Sequence, residues 1–177
     1  MLNSNKESQK LMPMRNAHPS PDLEFRLENN PELLTRLNRH VHTLHFEKHP
    51  DVFAPYDYEK FLAWYEELLA RDNVYGIVAY LEDLPVGYAL AIHKEYSASP
   101  FHASSYELMQ IDQMGIVPEH QHKGIGKKLM HYIRDFCREK GIRRLQLSVW
   151  LDNEIAKSFY EQMGFEGYLL YMEMKME

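Results

Sequence analysis

The chain has 177 residues, 45% of them hydrophobic, and a formal charge of −6 from 26 acidic and 20 basic residues. That length fits one domain with one sizeable core, and the acidic balance disfavours non-specific nucleic-acid binding, leaving an ordinary solvated surface or a mild attraction for cationic partners. No apolar run approaches the ~20 residues that span a bilayer, and the single cysteine, Cys137, excludes an intrachain disulfide.

Residues 1–21 are polar, without periodicity, and carry Pro13, Pro19 and Pro21. A flexible tail is expected there, followed by one domain over residues 22–177. The first residues lack the apolar region of a secretory leader, so a cytoplasmic location is the expectation. Residues 22–27 alternate as a first strand. Asn30-Pro31-Glu32 then supplies a cap, a first-turn proline and a first-turn acid. Leu33, Leu34, Leu37, Val41 and Leu44 follow at helical spacing, which predicts a helix to about Phe46. Asp57 caps a second helix with the apolar face Phe61, Leu62, Tyr65, Leu68 and Leu69.

Residues 74–80 and 86–92 read as a hairpin through the turn Glu82-Asp83-Leu84-Pro85. A polar stretch, 97–105, leads into a strand ending at Val117. Ile125, Leu129, Ile133, Phe136 and Cys137 mark the buried face of a helix that Gly141 ends. Leu145, Leu147 and Val149 form the inward side of a further strand. A short helix spans 153–163, and a last strand alternates Tyr168, Leu170, Met172 and Met174 against Leu169, Tyr171, Glu173 and Lys175. The order β-α-α-β-β-β-α-β-α-β predicts an α/β (α+β) fold. Its sheet is mixed and mostly antiparallel, with helices on both faces and a central parallel β-α-β unit.

The most informative segment is Gln121-His122-Lys123-Gly124-Ile125-Gly126, between the strand ending at Val117 and the helix behind it. Two glycines one residue apart let backbone N–H groups turn inward, and a helix N-terminus adds unpaired donors and a positive dipole end. That combination cradles phosphate oxygens. A Walker loop needs glycine where Gln121 stands and Ser or Thr where Lys128 stands. A dinucleotide turn needs a third small residue where Leu129 stands.

Gln-x-x-Gly-x-Gly, with Pro118 three residues before the Gln, resembles the acetyl-coenzyme A loop of the GNAT N-acetyltransferase superfamily. Residues 145–149 (Leu-Gln-Leu-Ser-Val), then Asn153, Ala156, Phe159-Tyr160 and Gly164-Phe165, resemble that family's next strand–helix unit. The agreement runs from about Tyr106 to Phe165 and is fainter before it, where His45 with Pro50-Asp51-Val52-Phe53 is similar to a segment of bacterial members.

The resemblance implies the GNAT fold and transfer of an acetyl group from acetyl-coenzyme A to a primary amine, by direct attack in a ternary complex and without a metal. It implies that the loop (Gln121, His122, Lys123, Gly124, Ile125, Gly126 and Lys127) holds the pyrophosphate, chiefly through the amides of 123–126. Many members carry Arg where Gln121 stands, so one formal charge is missing here. The backbone of Met114, Gly115 and Ile116 would take the pantetheine arm as a surrogate strand. Gly115 would permit a bulge there or merely relieve crowding. Tyr160 is implied as the general acid to the leaving thiolate, against the alternative of a core aromatic. Asn153 is a helix cap and, by resemblance, a cofactor contact.

For the general base, Asp112 and then Glu107 are the candidates; both are alternatively structural carboxylates, with a water chain carrying the proton. Tyr56, Tyr96, Phe101 and His102 are the candidate acceptor pocket. His40, His42, His45 and His49 read as surface residues or an acceptor-pocket wall in preference to a metal site. The acceptor is a small-molecule or peptide amine, with polyamine, aminoglycoside, lysine-like and protein N-terminal amines all open. The rival class is a non-catalytic acyl-coenzyme A binding or sensing module; a nucleotide-binding enzyme follows only if the resemblance is accidental. The final strand fits a homodimer contact or a buried strand in a monomer.

Overall fold

The computed structural model describes residues 22–176, so the expected tail, residues 1–21, lies outside the described residues. Strand β1 (Leu23–Glu28) is followed by two capped helices. In α1 (Pro31–Lys48) the Asn30 side chain accepts the Leu33 N–H at 3.0 Å, with proline in the first turn where a missing donor costs nothing. In α2 (Tyr58–Leu69) Asp57 accepts the Lys60 N–H at 3.3 Å.

Strands β2 (Val74–Leu81), β3 (Leu84–Tyr96) and β4 (Tyr106–Ile116) then form an antiparallel meander. Helix α3 (Ile125–Glu139) crosses over to the short strand β5 (Leu145–Leu147), which pairs parallel with β4, and α4 (Glu154–Gln162) follows. The sheet order is β1-β2-β3-β4-β5. Period-two alternation splits the core between two faces. Leu34, Leu37, Tyr65 and Leu68 of α1 and α2 pack on Val78, Tyr88 and Leu90. Leu129, Ile133 and Cys137 of α3 pack on Ile77, Ala89 and Ile111. Each fully buried leucine or isoleucine here contributes about 1.5–3 kcal/mol.

The β2–β3 turn is tighter than its sequence suggests. Glu82 and Asp83 both have positive φ, 51° and 64°, so two residues close a hairpin whose turn matches the strand twist. Strand β5 is shorter than expected: Ser148 and Val149 lie outside the ladder. The expected last strand over 168–175 is not formed within the chain. Its residues have the alternation but no strand partner among the described residues, and their apolar side chains are largely exposed. Strand propensity is realised only against a paired edge.

Candidate active site

Strand β4 organises the site. Leu90 faces Gln113 and Ala91 faces Ile111, so Asp112 is an extra, unopposed residue, a bulge. The parallel pairing with β5 ends at the same place, Ile111 opposite Leu147. From Asp112 to Ile116, β4 keeps β3 on one side and, among the described residues, has no strand on the other. That leaves an open backbone edge at the mouth of a splayed sheet.

Of the two roles open to Gly115, the bulge falls to Asp112 instead, and Gly115 sits in regular register opposite Tyr88, where its role is the other one, relief of crowding. Its lack of a side chain answers to α1. A Cβ there would overlap Val41 Cγ2 and come within 3.2 Å of His40 Cε1. Of its neighbours, Met114 and Ile116 pack on the α3 side. Gln113 faces the other layer.

The loop leaves this edge directly. Val117 N–H bonds Val86 O at 2.9 Å, residues 118–120 make one 3₁₀ turn, and the Gln121 side chain donates to Ile116 O at 2.9 Å. Gln121 thus ties the loop back onto β4. His122 (φ 59°) and Gly124 (φ 78°) take left-handed backbone, and Gly124 caps α3 with no side-chain bond. Among the described residues, none of the amides from His122 to Lys127 donates to a backbone carbonyl. Lys123, Lys127 and Lys128 are exposed and outside every ion pair of the described residues, and the first turn of α3 holds no acid. Six unpaired amides, three free cations and a helix N-terminus make a strong anion cradle.

Helix α4 abuts the cradle: Phe159 Cζ lies 3.7 Å from where a Gly126 Cβ would stand. The next residue, Tyr160, is half-buried between Phe159 and Phe165, and burial raises its pKa above the ordinary phenol value. It is therefore a proton donor throughout the neutral range. Asn153 is a cap, accepting the Ala156 N–H at 3.3 Å.

The Asp112 side chain lies on the bulge. The residue is exposed, yet desolvation of its carboxyl raises the pKa, with Lys94 and Gln113 pulling it back. Glu107 is placed elsewhere, paired with His93 at 3.1 Å near the far end of the β3–β4 hairpin. Five residues of strand separate it from Asp112, roughly 16 Å. Beside the bulge is a network the sequence did not reveal. Gln113 Oε1 accepts from Asn38 Nδ2 (3.0 Å), from Tyr88 Oη (3.2 Å) and from Tyr65 Oη. A polar Asn38 on the leucine face of α1 was the one available signal.

The four expected pocket residues do not come together. Tyr56 stacks on Phe61 and donates to Thr35 O at 2.9 Å. Tyr96 and His102 gather with Tyr106 at the distal hairpin end, and Phe101 is almost wholly exposed. A second aromatic group forms where α1 ends, around His45 and His49, two of the histidines read as a possible acceptor-pocket wall, with Phe53 and Trp150 added by the fold. His49 stacks on Trp150 at 4.0 Å, and Phe53 meets both Trp150 and His45. Because Trp150 follows β5 and α1 covers Gly115, this group lies across the splay between β4 and β5. Burial, then the neighbouring His49, His42 and Lys48, lowers the His45 pKa. Among the described residues no group of three or more His, Cys, Asp or Glu is arranged for a metal, and no helix is long and apolar enough to cross a membrane.

A family model described as the acetyltransferase (GNAT) family matches residues 38–165. Streptothricin acetyltransferase of Streptomyces lavendulae is 35% identical over 80 residues, 43% of this chain and 42% of that protein. An uncharacterised N-acetyltransferase of Methanocaldococcus jannaschii is 27% identical over 112 residues, 63% of this chain and 48% of that one. The chain thus spans less than half the length of these relatives. Among solved structures, a tetramutant of a Bacillus halodurans protein superposes with a TM-score of 0.80 at 18% identity, over 86% of this chain and 99% of the other. An aminoglycoside N-acetyltransferase in complex with CoA superposes at 0.67 and 17% identity, over 90% and 99%. At such identities the likeness is one of fold.

Proposed function

The chain belongs to the acetyltransferase (GNAT) family, and on that premise we propose that it transfers an acetyl group from acetyl-coenzyme A to a primary amine. The observation that carries the reading is the junction of two features at one end of β4: an unpaired backbone edge from Asp112 to Ile116, and the amide cradle of 122–127. The cradle suits the pyrophosphate. The open edge suits an extended arm with amide groups, which takes the strand position that β5 vacates. A thioester carbonyl lying against β4 meets backbone N–H donors whose positions are fixed before reaction, the condition for oxyanion stabilisation.

The amine must arrive uncharged. Asp112 takes one proton from the ammonium, and the nitrogen lone pair attacks the thioester carbonyl to give a tetrahedral oxyanion. Collapse breaks the C–S bond, the departing thiolate takes the Tyr160 proton, and the amine's second proton restores the phenol through solvent. The products are the N-acetyl amine and free coenzyme A. A phenol with pKa near or above about 10 can supply a thiolate whose conjugate acid is about 8.5, because hydrogen bonding and local desolvation favour the neutral thiol. The acceptor enters from the α1–α2 face, past Phe53, Trp150 and His45; of the pocket first expected at Tyr56, Tyr96, Phe101 and His102, only Tyr56 belongs to that face. A small-molecule or peptide amine satisfies this geometry, and a cytoplasmic setting with a ready supply of acetyl-coenzyme A is the matching location.

The test is thermal unfolding with acetyl-coenzyme A, ATP or NAD. At ~100 times its dissociation constant a ligand adds about 2.7 kcal/mol. A selective rise with acetyl-coenzyme A, followed by acetylation in an amine screen, supports transfer. A selective rise with no acetylated amine favours a binding module, and equal shifts with ATP or NAD refute the cofactor assignment.

A further inference from the structure

Between the sheet and helices α1 and α2 lies a layer built mostly of leucine and valine. Asn38, Tyr65 and Tyr88 are buried in it, and each donates to one and the same atom, Gln113 Oε1. Asn38 Nδ2 also reaches Tyr88 Oη at 2.9 Å, which closes the set. A satisfied buried network fixes a single arrangement of its members. Here the member so fixed belongs to the bulge of β4.

The convergence determines which way the Gln113 amide faces. Asn38 Nδ2 only donates and both phenols carry a proton, so the atom they share is the amide oxygen. Turned over, the amide would set that oxygen against the Asp112 carboxylate. The arrangement also has a cost that stability alone does not explain. Asn38 Oδ1 and, one helical turn before it, Thr35 Oγ1 are buried with no hydrogen bond among the described residues.

Gln113 follows Asp112 on the bulge, opposite Leu90. Burial pushes the Tyr65 and Tyr88 phenols up, and the Asp112 charge adds to the rise in both. Its carboxyl therefore lies on the face of the network. Burial raises the pKa of that carboxyl, and Lys94, then a hydrogen bond from the Gln113 side chain, draws it back. The titratable groups facing it are Lys94 and Tyr88 of β3 and Tyr65 of α2, of which Lys94 is the charged one; α1 presents the uncharged Asn38.

We propose that Gln113 is the positioning residue of the general base: Asn38, Tyr65 and Tyr88 anchor its oxygen in the core, and its amide nitrogen holds the Asp112 carboxylate at the open edge of β4. The assignment rests on Asp112 being the base. An exposed carboxylate turns among rotamers, whereas a base must stand within hydrogen-bond reach of the amine. One bond from an amide that cannot turn supplies the orientation, and it favours the ionised form that accepts the proton.

Carbon-13 NMR of the full chain with labelled aspartate carboxyls reads the Asp112 titration without any acceptor, and Asp112→Asn assigns the signal. Gln113→Met keeps the reach of the side chain and removes the amide. Its Asp112 midpoint should rise by about 1–2 pH units, the worth of a hydrogen bond to a charged group. Tyr65→Phe, which loosens the anchor and leaves the amide, should move the midpoint the same way by less. Leu34→Ala opens a cavity in the same layer and should lower the melting temperature with the midpoint unmoved. An unmoved midpoint in Gln113→Met, or an equal rise in Leu34→Ala, overturns the proposal. Should Gln113→Met fail to fold, Tyr65→Phe decides, and no rise there overturns it. The base itself is judged apart: undiminished acetyl transfer in Asp112→Asn overturns Asp112 as base, whereas its loss alongside an unmoved midpoint in Gln113→Met overturns the role of Gln113 alone.

Discussion

Replacing Gly115 by alanine tests the reading of β4 most directly, because one methyl group probes the fit of α1 on the open strand. The new Cβ would overlap Val41 Cγ2 and press on His40 at 3.2 Å. Val41 cannot swing aside, since a β-branched side chain in a helix is held in one rotamer. Either α1 lifts or β4 shifts. Overpacking of this kind costs about 1–3 kcal/mol, and at ~2–4 °C per kcal/mol for a domain of this size the melting temperature should fall by roughly 2–12 °C. Val41→Ala removes the methyl in the way. In the double variant, the loss should be smaller than the sum of the single losses by about 0.5–3 kcal/mol, the range of direct contacts. Calorimetry of the four proteins supplies the cycle. An unchanged melting temperature in Gly115→Ala, or strictly additive losses, would refute the close approach of α1 to β4 and return Gly115 to the role of bulge former.

Tyr160→Phe should lower kcat by about 10²-fold or more while the KM for acetyl-coenzyme A barely moves, since a general acid acts in the transition state; steady-state kinetics with full retention of kcat would remove Tyr160 from the mechanism. Asp112 gives a signed pH prediction. Its folded pKa is raised above the unfolded 3.8, so its ionisation opposes folding. The protein is spared that cost below the unfolded value and carries it fully once pH has risen through the folded one. Asp112→Asn should accordingly be as stable as the parent or more so at pH 7, with the advantage fading toward pH 3.8, while the acid limb of kcat/KM disappears. A stability loss at pH 7 would contradict the sign. Gly124→Val places a β-branched residue at φ 78°, a cost of about 1–2 kcal/mol, and should shrink the acetyl-coenzyme A melting shift in scanning fluorimetry; an undiminished shift would mean the cradle tolerates right-handed backbone. Gln113→Leu leaves donors of Asn38, Tyr65 and Tyr88 without their shared acceptor, and urea unfolding should register a loss of at least about 1–3 kcal/mol.

Much of the molecule was legible in the sequence because its causes are local. The caps of α1 and α2, the apolar stripe of α3, the hairpin of β2 and β3 and the turn chemistry at Gly124 each depend on residues within a few positions. The family resemblance carried by Gln121 to Gly126 and by residues 145–165 extended that reading to the fold, and the family match and the superpositions agree with it. Those segments, with the element order as far as α4, could be read from the chain before any tertiary contact is known.

The tertiary structure decided what depends on partners far apart in the chain. It chose between the two roles open to Gly115 and set the bulge at Asp112, because a bulge is a mismatch between two strands and β3 sets the count. It ended β5 at Leu147, where the splay opens. It separated Tyr56 from Tyr96 and His102, and set Trp150 against His49 and Phe53 of the turn that ends α1, two segments far apart in the chain. It also left residues 168–176 without a strand partner among the described residues although their pattern is that of a strand, because alternation specifies which faces are to be covered and only a neighbouring edge can cover them.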